Sequence, residues 1–232
     1  MPAWLNTEQV LEYLVNLMVI FLICPLHEFA HAFAADKLGD NTARLQGRLT
    51  IDPIAHIDPF GALLLFFFGF GWAKPVPVNP ANFRHKNLDM MLVAVAGPLT
   101  NLLAAAAGVA AIQMCGGFET YLEREPLALH ADGTPASYFF LMLFHFVAIN
   151  LSLCLFNLLP VPPLDGSRVL NYFLPPRAAV WFMKHSRIFY GVVFVLMITG
   201  LLGAPISYAS YHILHFLVNA SSVLPVVVTW QS

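Results

Sequence analysis

The sequence has little charge. Only 10% of its 232 residues are Asp, Glu, Lys or Arg, whereas 59% are hydrophobic. A soluble domain carries about 25% charged residues, so this chain lacks the charge needed to cover a water-exposed surface. Its net charge of −2 gives no sign of the basic composition that nucleic-acid binding requires. We therefore expect a protein of the lipid bilayer with no nucleic-acid partner.

The sequence shows neither cysteines at the spacing of a disulfide framework or metal site nor the pattern of a signal peptide. The three cysteines lie in or at the ends of apolar runs, without the spacing of a disulfide framework or a metal site, which favours small buried residues. The N-terminal stretch MPAWLNTEQV has no positively charged region, so we expect no cleavable signal peptide.

Long apolar runs are abundant. Those long enough to cross a hydrocarbon core of ~30 Å run roughly over 10–35, 88–114, 138–160 and 187–204. A weaker candidate, 206–229, contains two histidines and an asparagine. The run at 60–72 is too short to span and suggests a re-entrant or interfacial segment. The sequence thus predicts an α-helical polytopic membrane protein of about four to six membrane segments. No repeat or linker is visible, so we expect a single membrane-embedded domain, 1–232.

The basic residues are distributed unevenly. Of the eleven Lys and Arg residues, six lie between the first and second runs and four lie after the third. The positive-inside rule places these two connections in the cytosol and the N-terminus outside. The short chain fits a prokaryotic plasma (inner) membrane, which is the location we expect.

Two histidines and a glutamate interrupt the first apolar run. In CPLHEFAHAFAADKLGD, which starts at position 24, His27 and His31 are four residues apart and share one helix face. This spacing allows both imidazoles to bind one zinc ion, with Glu28 beside the metal as a general base. The alternative is a set of hydrogen-bonded core residues. An ionisable residue at membrane depth costs about 2.5–3.5 kcal/mol on insertion scales, which favours the metal site.

A catalytic zinc usually has three protein ligands, so a third ligand is needed. Asp165, in NLLPVPPLDGSRVL, follows the third apolar run on the same predicted side of the membrane. The residue also precedes a candidate helix, where aspartate is a common N-cap. From the residues alone, ligand and cap remain equal alternatives.

Taken together, these motifs resemble the site-2 protease family of intramembrane zinc metalloproteases. The pair that carries the resemblance is HEFAH at 27–31, followed by the pattern N-x-x-P-x-P-x-x-D-G at 157–166. AHIDPFG at 55–61, KPVPVNP at 74–80 and AGPLTN at 96–101 are similar to the family as well. The resemblance covers roughly 20–170.

The resemblance implies a role for each matching residue. His27, His31 and Asp165 would be the ligands of one Zn²⁺ per chain, and Glu28 would be the catalytic base. Asn157 would position the substrate or stabilise the transition state, with a helix-capping or interhelix hydrogen bond as the alternative. Two further candidates are Asn101, which could equally be an interhelix hydrogen-bonding residue, and His56, which could equally be structural.

The family also implies a β-rich, membrane-associated region before the second span. TARLQGRLTI at 42–51 and WAKPVPVNP at 72–80 fit edge strands, which could bind an extended substrate by strand addition. The connecting loops are too short for a typical PDZ domain, so the chain resembles a minimal form of the family. We therefore expect substrate access to be controlled within the membrane, by the C-terminal segments, or by a separate adaptor or regulator.

The predicted function is zinc-dependent cleavage of peptide bonds in or near transmembrane segments of membrane proteins. One alternative is a metal transporter that uses the same His and Asp side chains, since intramembrane ionisable residues also mark ion pathways. A transporter should show several successive sites or a repeat, and the sequence shows one cluster. Another alternative is an inactive membrane scaffold, although such a protein would be expected to lose Glu28 or a ligand.

Overall fold

A computed structural model of the chain describes residues 7–68, 71–115 and 135–221. Its α-helices are α1 Thr7–Met18, α2 Cys24–Lys37, α3 Thr42–Leu45, α4 Pro53–His56, α5 Pro59–Phe68, α6 Lys86–Met114, α7 Pro135–Asn157, α8 Gly166–Phe173, α9 Pro176–Lys184, α10 Ser186–Ile198 and α11 Gly203–Ser221. A π-helical turn, Val19–Ile23, joins α1 to α2, and a 3₁₀ turn, Pro80–Asn82, precedes α6. The described residues contain no β-strand.

The π turn allows one apolar helix to continue past a proline. Pro25 lacks an N–H group, and in a regular helix its ring would press on the carbonyl one turn earlier. The wider turn accommodates this: the Cys24 N–H donates to the Val19 carbonyl, five residues back. The result is a candidate membrane span of 25 residues, Tyr13–Lys37, that carries the histidines near its C-terminal end.

Helix α6 is the centre of the fold, because it packs against α2, α7, α8 and α11. Small residues allow the close approach. A Cβ added at Gly108 would lie 2.6 Å from Cγ2 of Val147 on α7. An apolar cluster in the core between these two helices consists of Ala105, Val109, Ile112, Val147 and Leu151. Small residues at such contacts are typical of helices packed in membranes.

Within the part of the chain that the structure describes, three helices are long and apolar enough to cross a membrane: Tyr13–Lys37, Lys86–Met114 and Tyr138–Asn157. They correspond to the predicted runs 10–35, 88–114 and 138–160. The predicted run 187–204 instead contains α10, which reaches spanning length only together with α9, and these two helices are bent by 61° at their junction. For 206–229, the described part is α11, which is not among the candidate spans, and the part beyond 221 lies outside the described residues.

The short run at 60–72 begins as helix α5, which is too short to span and packs against α1. The rings of Tyr13 and Phe66 stack with centroids 4.9 Å apart. The side-chain amide of Asn16 donates to the Phe66 carbonyl at 3.2 Å. A helix held in this way beside the first span is compatible with the interfacial segment that the sequence suggests.

The predicted β-rich region is wrong for the residues that the structure describes. The 42–51 stretch begins with the short helix α3, and the proline-rich segment, residues 71–79, is not paired with a strand. Pro75 and Pro77 remove two of the N–H groups that a strand ladder needs. Three of the other N–H groups in the segment bond elsewhere: Lys74 donates to the His56 carbonyl, Val76 to Glu28 and Asn79 to Asp40.

Candidate active site

The two histidines of α2 face each other as their spacing predicts. His27 Nε2 and His31 Nε2 are 3.1 Å apart, and the ring planes are inclined at 82°. Their side chains are 12% and 10% exposed, so the pair is largely shielded from bulk water.

Asp165 joins these histidines from the other side of the fold. Its Oδ2 atom lies 3.3 Å from His27 Nε2 and 3.2 Å from His31 Nε2. The residue occupies the N-cap position of α8, yet its side chain makes no capping hydrogen bond. Of the two alternatives left open by the sequence, the carboxylate therefore takes the position beside the histidines.

The hydrogen bonds of the outer ring nitrogens determine what the inner ones present. His31 Nδ1 lies 2.7 Å from the Val93 carbonyl, which can only accept, so Nδ1 carries the proton. His27 Nδ1 lies 2.8 Å from Asn101 Oδ1 and donates to it in the same way. With the proton on Nδ1, each neutral imidazole directs the lone pair of its Nε2 toward the other histidine and toward Asp165. Hydrogen-bond acceptors at Nδ1 commonly orient the histidines that bind metals in proteins.

The arrangement fits a metal ion. Three lone-pair atoms converge, and Asp165 Oδ2 is buried with no hydrogen-bond partner. A cation among the three atoms satisfies every lone pair at once, which a single shared proton cannot do. Zn–N bonds of about 2.0–2.1 Å in a tetrahedron place neighbouring ligand atoms about 3.4 Å apart. The observed separations of 3.1, 3.2 and 3.3 Å match this spacing closely.

Helix α6 approaches the histidines at Gly97. A Cβ added there would lie 2.4 Å from His31 Nε2 and 2.6 Å from His27 Nε2. Pro98 follows inside the same helix, where its missing N–H removes one backbone hydrogen bond. Gly97 therefore leaves free the space between the helix and the two Nε2 atoms that a metal would need.

Glu28 is held by the proline-rich segment. The Val76 N–H donates to Glu28 Oε2 at 2.9 Å. The residue lies next to His27 in the chain but points around the helix from it, so it stands beside the cluster without joining it. A carboxylate has about four acceptor positions, so this bond fixes the side chain and leaves capacity for a water molecule.

Both ends of the proline-rich segment are fastened to the fold. At one end, Arg48 Nη2 donates to the Lys74 carbonyl at 2.7 Å. At the other, the fully buried Asp40 accepts from the Asn79 N–H and the Asn82 amide, each at 2.7 Å. Burial raises the pKa of the Asp40 carboxyl, but its hydrogen bonds, led by that from Thr42, outweigh burial and lower the pKa below its ordinary value.

The other candidate residues lie outside the cluster. His56 is buried, its Nε2 donates to the Thr50 carbonyl at 2.8 Å, and its backbone carbonyl binds Lys74. It thus supports the proline-rich segment rather than reaching the histidines. Asn157 ends α7, and its amide donates to the Leu153 carbonyl at 3.0 Å, which is the capping alternative. Asn101 contacts the site through His27 alone.

Three contributions to the site were missed by sequence reasoning: Gly97, the Val76 N–H and Asp40. Gly97 lies in AGPLTN, whose small residues are a general signal of close helix packing. Backbone donors such as Val76 leave no side-chain signal. Within the described ranges, His27, His31 and Asp165 are the one group of three potential metal ligands.

Comparison with known proteins identifies the family of the chain. The model of peptidase family M50 matches residues 15–200. The candidate zinc metalloprotease YwhC of Bacillus subtilis (strain 168) is 39% identical over 191 residues, which cover 82% of each chain.

More distant relatives carry a similar description. The candidate zinc metalloprotease Rip2 of Mycobacterium tuberculosis (strain H37Rv) is 35% identical over 185 residues, covering 75% of this chain and 65% of Rip2. Rip2 of Mycolicibacterium smegmatis is 27% identical over 213 residues, covering 85% of this chain and 74% of that relative. No solved structure matches the chain. The family model covers most of the sequence, and the chain therefore belongs to peptidase family M50.

Proposed function

We propose that this protein is an intramembrane zinc endopeptidase that cleaves peptide bonds in or near transmembrane segments of membrane proteins. Family membership and the names of the relatives support a zinc-dependent peptidase. The observation that carries the proposal is the convergence of three metal-binding atoms at a helix long and apolar enough to cross a membrane. Ionisable side chains at membrane depth carry a free-energy cost of insertion, so such residues usually have a function.

In this proposal, His27, His31 and Asp165 hold one zinc ion per chain. Three protein ligands leave a fourth position for a reactant, which is the pattern of catalytic zinc sites. When bound, zinc supplies Lewis-acid activation of the attacking water and of the substrate carbonyl. Asn101 and the Val93 carbonyl act as positioning groups, because they keep the proton on Nδ1 of each histidine.

Glu28 performs the proton transfers. One carboxylate oxygen is held by the Val76 N–H. The carboxylate accepts a proton from the attacking water and then delivers it to the nitrogen of the leaving amine. The role of Asn157 in contacting substrate remains part of the proposal, and it would require the amide to leave the Leu153 carbonyl. We assign His56 to support of the proline-rich segment.

The site is proposed to face the cytosol. The C-terminal end of the first span and the N-terminal end of the second both carry lysine, at positions 37 and 86. Asp165 follows the C-terminal end of the third span, so all three elements meet on the basic side. The relatives are bacterial, which supports the plasma membrane, and the distribution of Lys and Arg supports an outside N-terminus. A separate adaptor protein could deliver substrates to the site.

Substitution of Glu28 with Gln tests the proposal. Gln has nearly the same size and keeps an acceptor oxygen for Val76 but cannot take up a proton. We expect the purified variant to retain about one zinc per chain and to lose cleavage of a model transmembrane substrate by at least ~100-fold. Cleavage at the wild-type rate would exclude Glu28 as the base. Zinc binding by the wild type without cleavage of any membrane-span substrate would contradict the protease assignment.

A further inference from the structure

An apolar cavity lies close to the candidate active site. It is a cavity of about 90 Å³ where the π turn, α5, α7 and the proline-rich segment meet. Its walls are mostly apolar and include Ile20, Cys24, Ala62, Leu65, Trp72 and Leu153. The proposed chemistry uses none of these side chains.

Three elements lead from this cavity to the proposed machinery. Cys24 precedes Glu28 by four residues on α2, so the two side chains share a helix face about 5–6 Å apart along the axis. Leu153 precedes Asn157 by the same interval on α7. Trp72, on the cavity wall, is four residues before Val76, whose N–H binds Glu28. The cavity therefore lies about one helical turn from the catalytic base, in the direction of the membrane interior.

The polar groups at the cavity wall already have partners. His56 bonds to the Thr50 carbonyl, and Asp58 accepts from the Gly61 N–H at 2.9 Å. Asp58 keeps further acceptor positions, but His56 is already bonded and most of the other side chains that line the cavity are apolar, so the wall favours an apolar occupant. An apolar cavity of about 150 Å³ accommodates benzene, so a space of 90 Å³ suits a branched aliphatic side chain better than an aromatic one.

We propose that this cavity is a substrate subsite that receives a Val-, Leu- or Ile-like side chain one or two residues from the scissile bond. An unwound substrate rises about 3.3 Å per residue, so one or two residues cover the distance from Glu28 to the cavity. The proposal rests on the proposed protease function and names the side-chain class that the enzyme selects. Cys24, Ala62 and Leu153 would determine the size limit.

The test is a comparison of substrates within each enzyme variant. Model transmembrane peptides carry Ala, Leu or Phe in turn at each of the three positions on either side of the cut, and kcat/KM is measured for each. One methylene group in an apolar pocket changes kcat/KM by roughly 10- to 200-fold. At one position we expect the wild type to prefer Leu over Ala by at least tenfold and to cleave the Phe peptide poorly.

Two opposite substitutions should then move this preference. Ala62→Leu fills the cavity and is expected to bring the Leu-to-Ala ratio at that position close to one. Leu153→Ala enlarges it and is expected to raise the Phe-to-Leu ratio by at least tenfold. The control is Ala107→Leu, which makes the same alanine-to-leucine change at an exposed position of α6. This variant should leave every ratio unchanged. Ratios within one variant are independent of the fraction of enzyme that is active.

The outcomes separate the two proposals. Cleavage by the wild type with unchanged ratios in both cavity variants would overturn the subsite and leave the protease function standing. Failure of the wild type to cleave any peptide, despite bound zinc, would overturn the proposed function and the subsite with it. If Ala62→Leu does not fold, the Phe-to-Leu ratio of Leu153→Ala decides alone.

Discussion

Gly97 provides a test of the geometry that does not alter any proposed ligand. In Gly97→Ala the new methyl group would lie 2.4 Å from His31 Nε2 and 2.6 Å from His27 Nε2. Ordinary contacts between such atoms are about 3.5–4.0 Å, so the histidines or α6 must move by about 1 Å. Metal–ligand distances tolerate only about ±0.2 Å. We therefore expect Gly97→Ala to weaken zinc binding without loss of the helical fold.

The magnitude follows from related effects. Loss of an outer hydrogen bond to a ligand typically weakens metal affinity 10- to 100-fold. Displacement of two ligand atoms should cost at least the upper end of that range, or about 2.7 kcal/mol at 1.36 kcal/mol per tenfold change. Competition with a chromophoric chelator, on detergent-purified protein, measures the affinity directly. Circular dichroism and thermal unfolding show whether the helices remain.

Gly108→Ala is the matched control, because it adds the same methyl group to the same helix. Its Cβ would lie 2.6 Å from Val147 Cγ2, in the core between α6 and α7. Overpacking there should lower the free energy of unfolding by about 1–3 kcal/mol and leave zinc affinity unchanged. Wild-type zinc affinity in Gly97→Ala, or equal loss in both variants, would refute the reasoning.

Three further predictions concern the groups around the cluster. Asn101→Ala removes the acceptor for His27 Nδ1 and should weaken zinc binding about 10- to 100-fold, measured by chelator competition. Val76→Pro removes the N–H that holds Glu28 and should lower kcat about tenfold with zinc content unchanged. Because the folded-state pKa of Asp40 is lowered, its stabilisation is present above the unfolded pKa of about 3.9 and is lost as the pH falls below it. Thermal unfolding of Asp40→Asn should therefore depend less on pH in the acid range than that of the wild type.

Each of these has a specific control. Asn101→Asp keeps an acceptor oxygen and should retain more zinc affinity than the alanine variant; equal losses would argue against a positioning role. Val76→Ala keeps the N–H, and the flanking prolines already favour the backbone conformation that a third proline needs. An equal fall in kcat for Val76→Ala would exclude the hydrogen bond as the cause. An Asp40→Asn variant with the wild-type pH dependence would show that another carboxyl controls acid stability.

The parts of the site that the sequence predicts are those set by helix periodicity. His27 and His31 had to share a face if the segment formed a helix, and the apolar run required a helix. Asp165 was a candidate ligand because the predicted topology places its loop on the same side of the membrane as the C-terminal end of the first apolar run. Whether Asp165 acts as a ligand or as a helix cap depends on the direction of its side chain, which cannot be predicted from the sequence.

The errors and omissions have a different origin. The strands expected at 42–51 and 72–80 were implied by the family resemblance. In the second stretch, however, the prolines lack N–H groups, and the N–H groups of Val76 and Asn79 donate to side chains instead of to a neighbouring strand. Local propensity is readily overridden by such tertiary contacts. Gly97 and the Val76 N–H act through distances between remote parts of the chain, which no spacing rule reveals. The run expected at 187–204 does not form a single helix, because α10 ends at Ile198 and the chain turns at Gly200, whose φ of 69° lies in the left-handed region.

The most direct test of the account is the zinc content of purified protein, wild type beside Asp165→Ala, with each assayed on a model transmembrane substrate. The cluster of His27, His31 and Asp165 predicts about one zinc per chain and cleavage in the wild type, with both lost in the variant. Full zinc occupancy and full activity without Asp165 would contradict the three-ligand site on which the account depends.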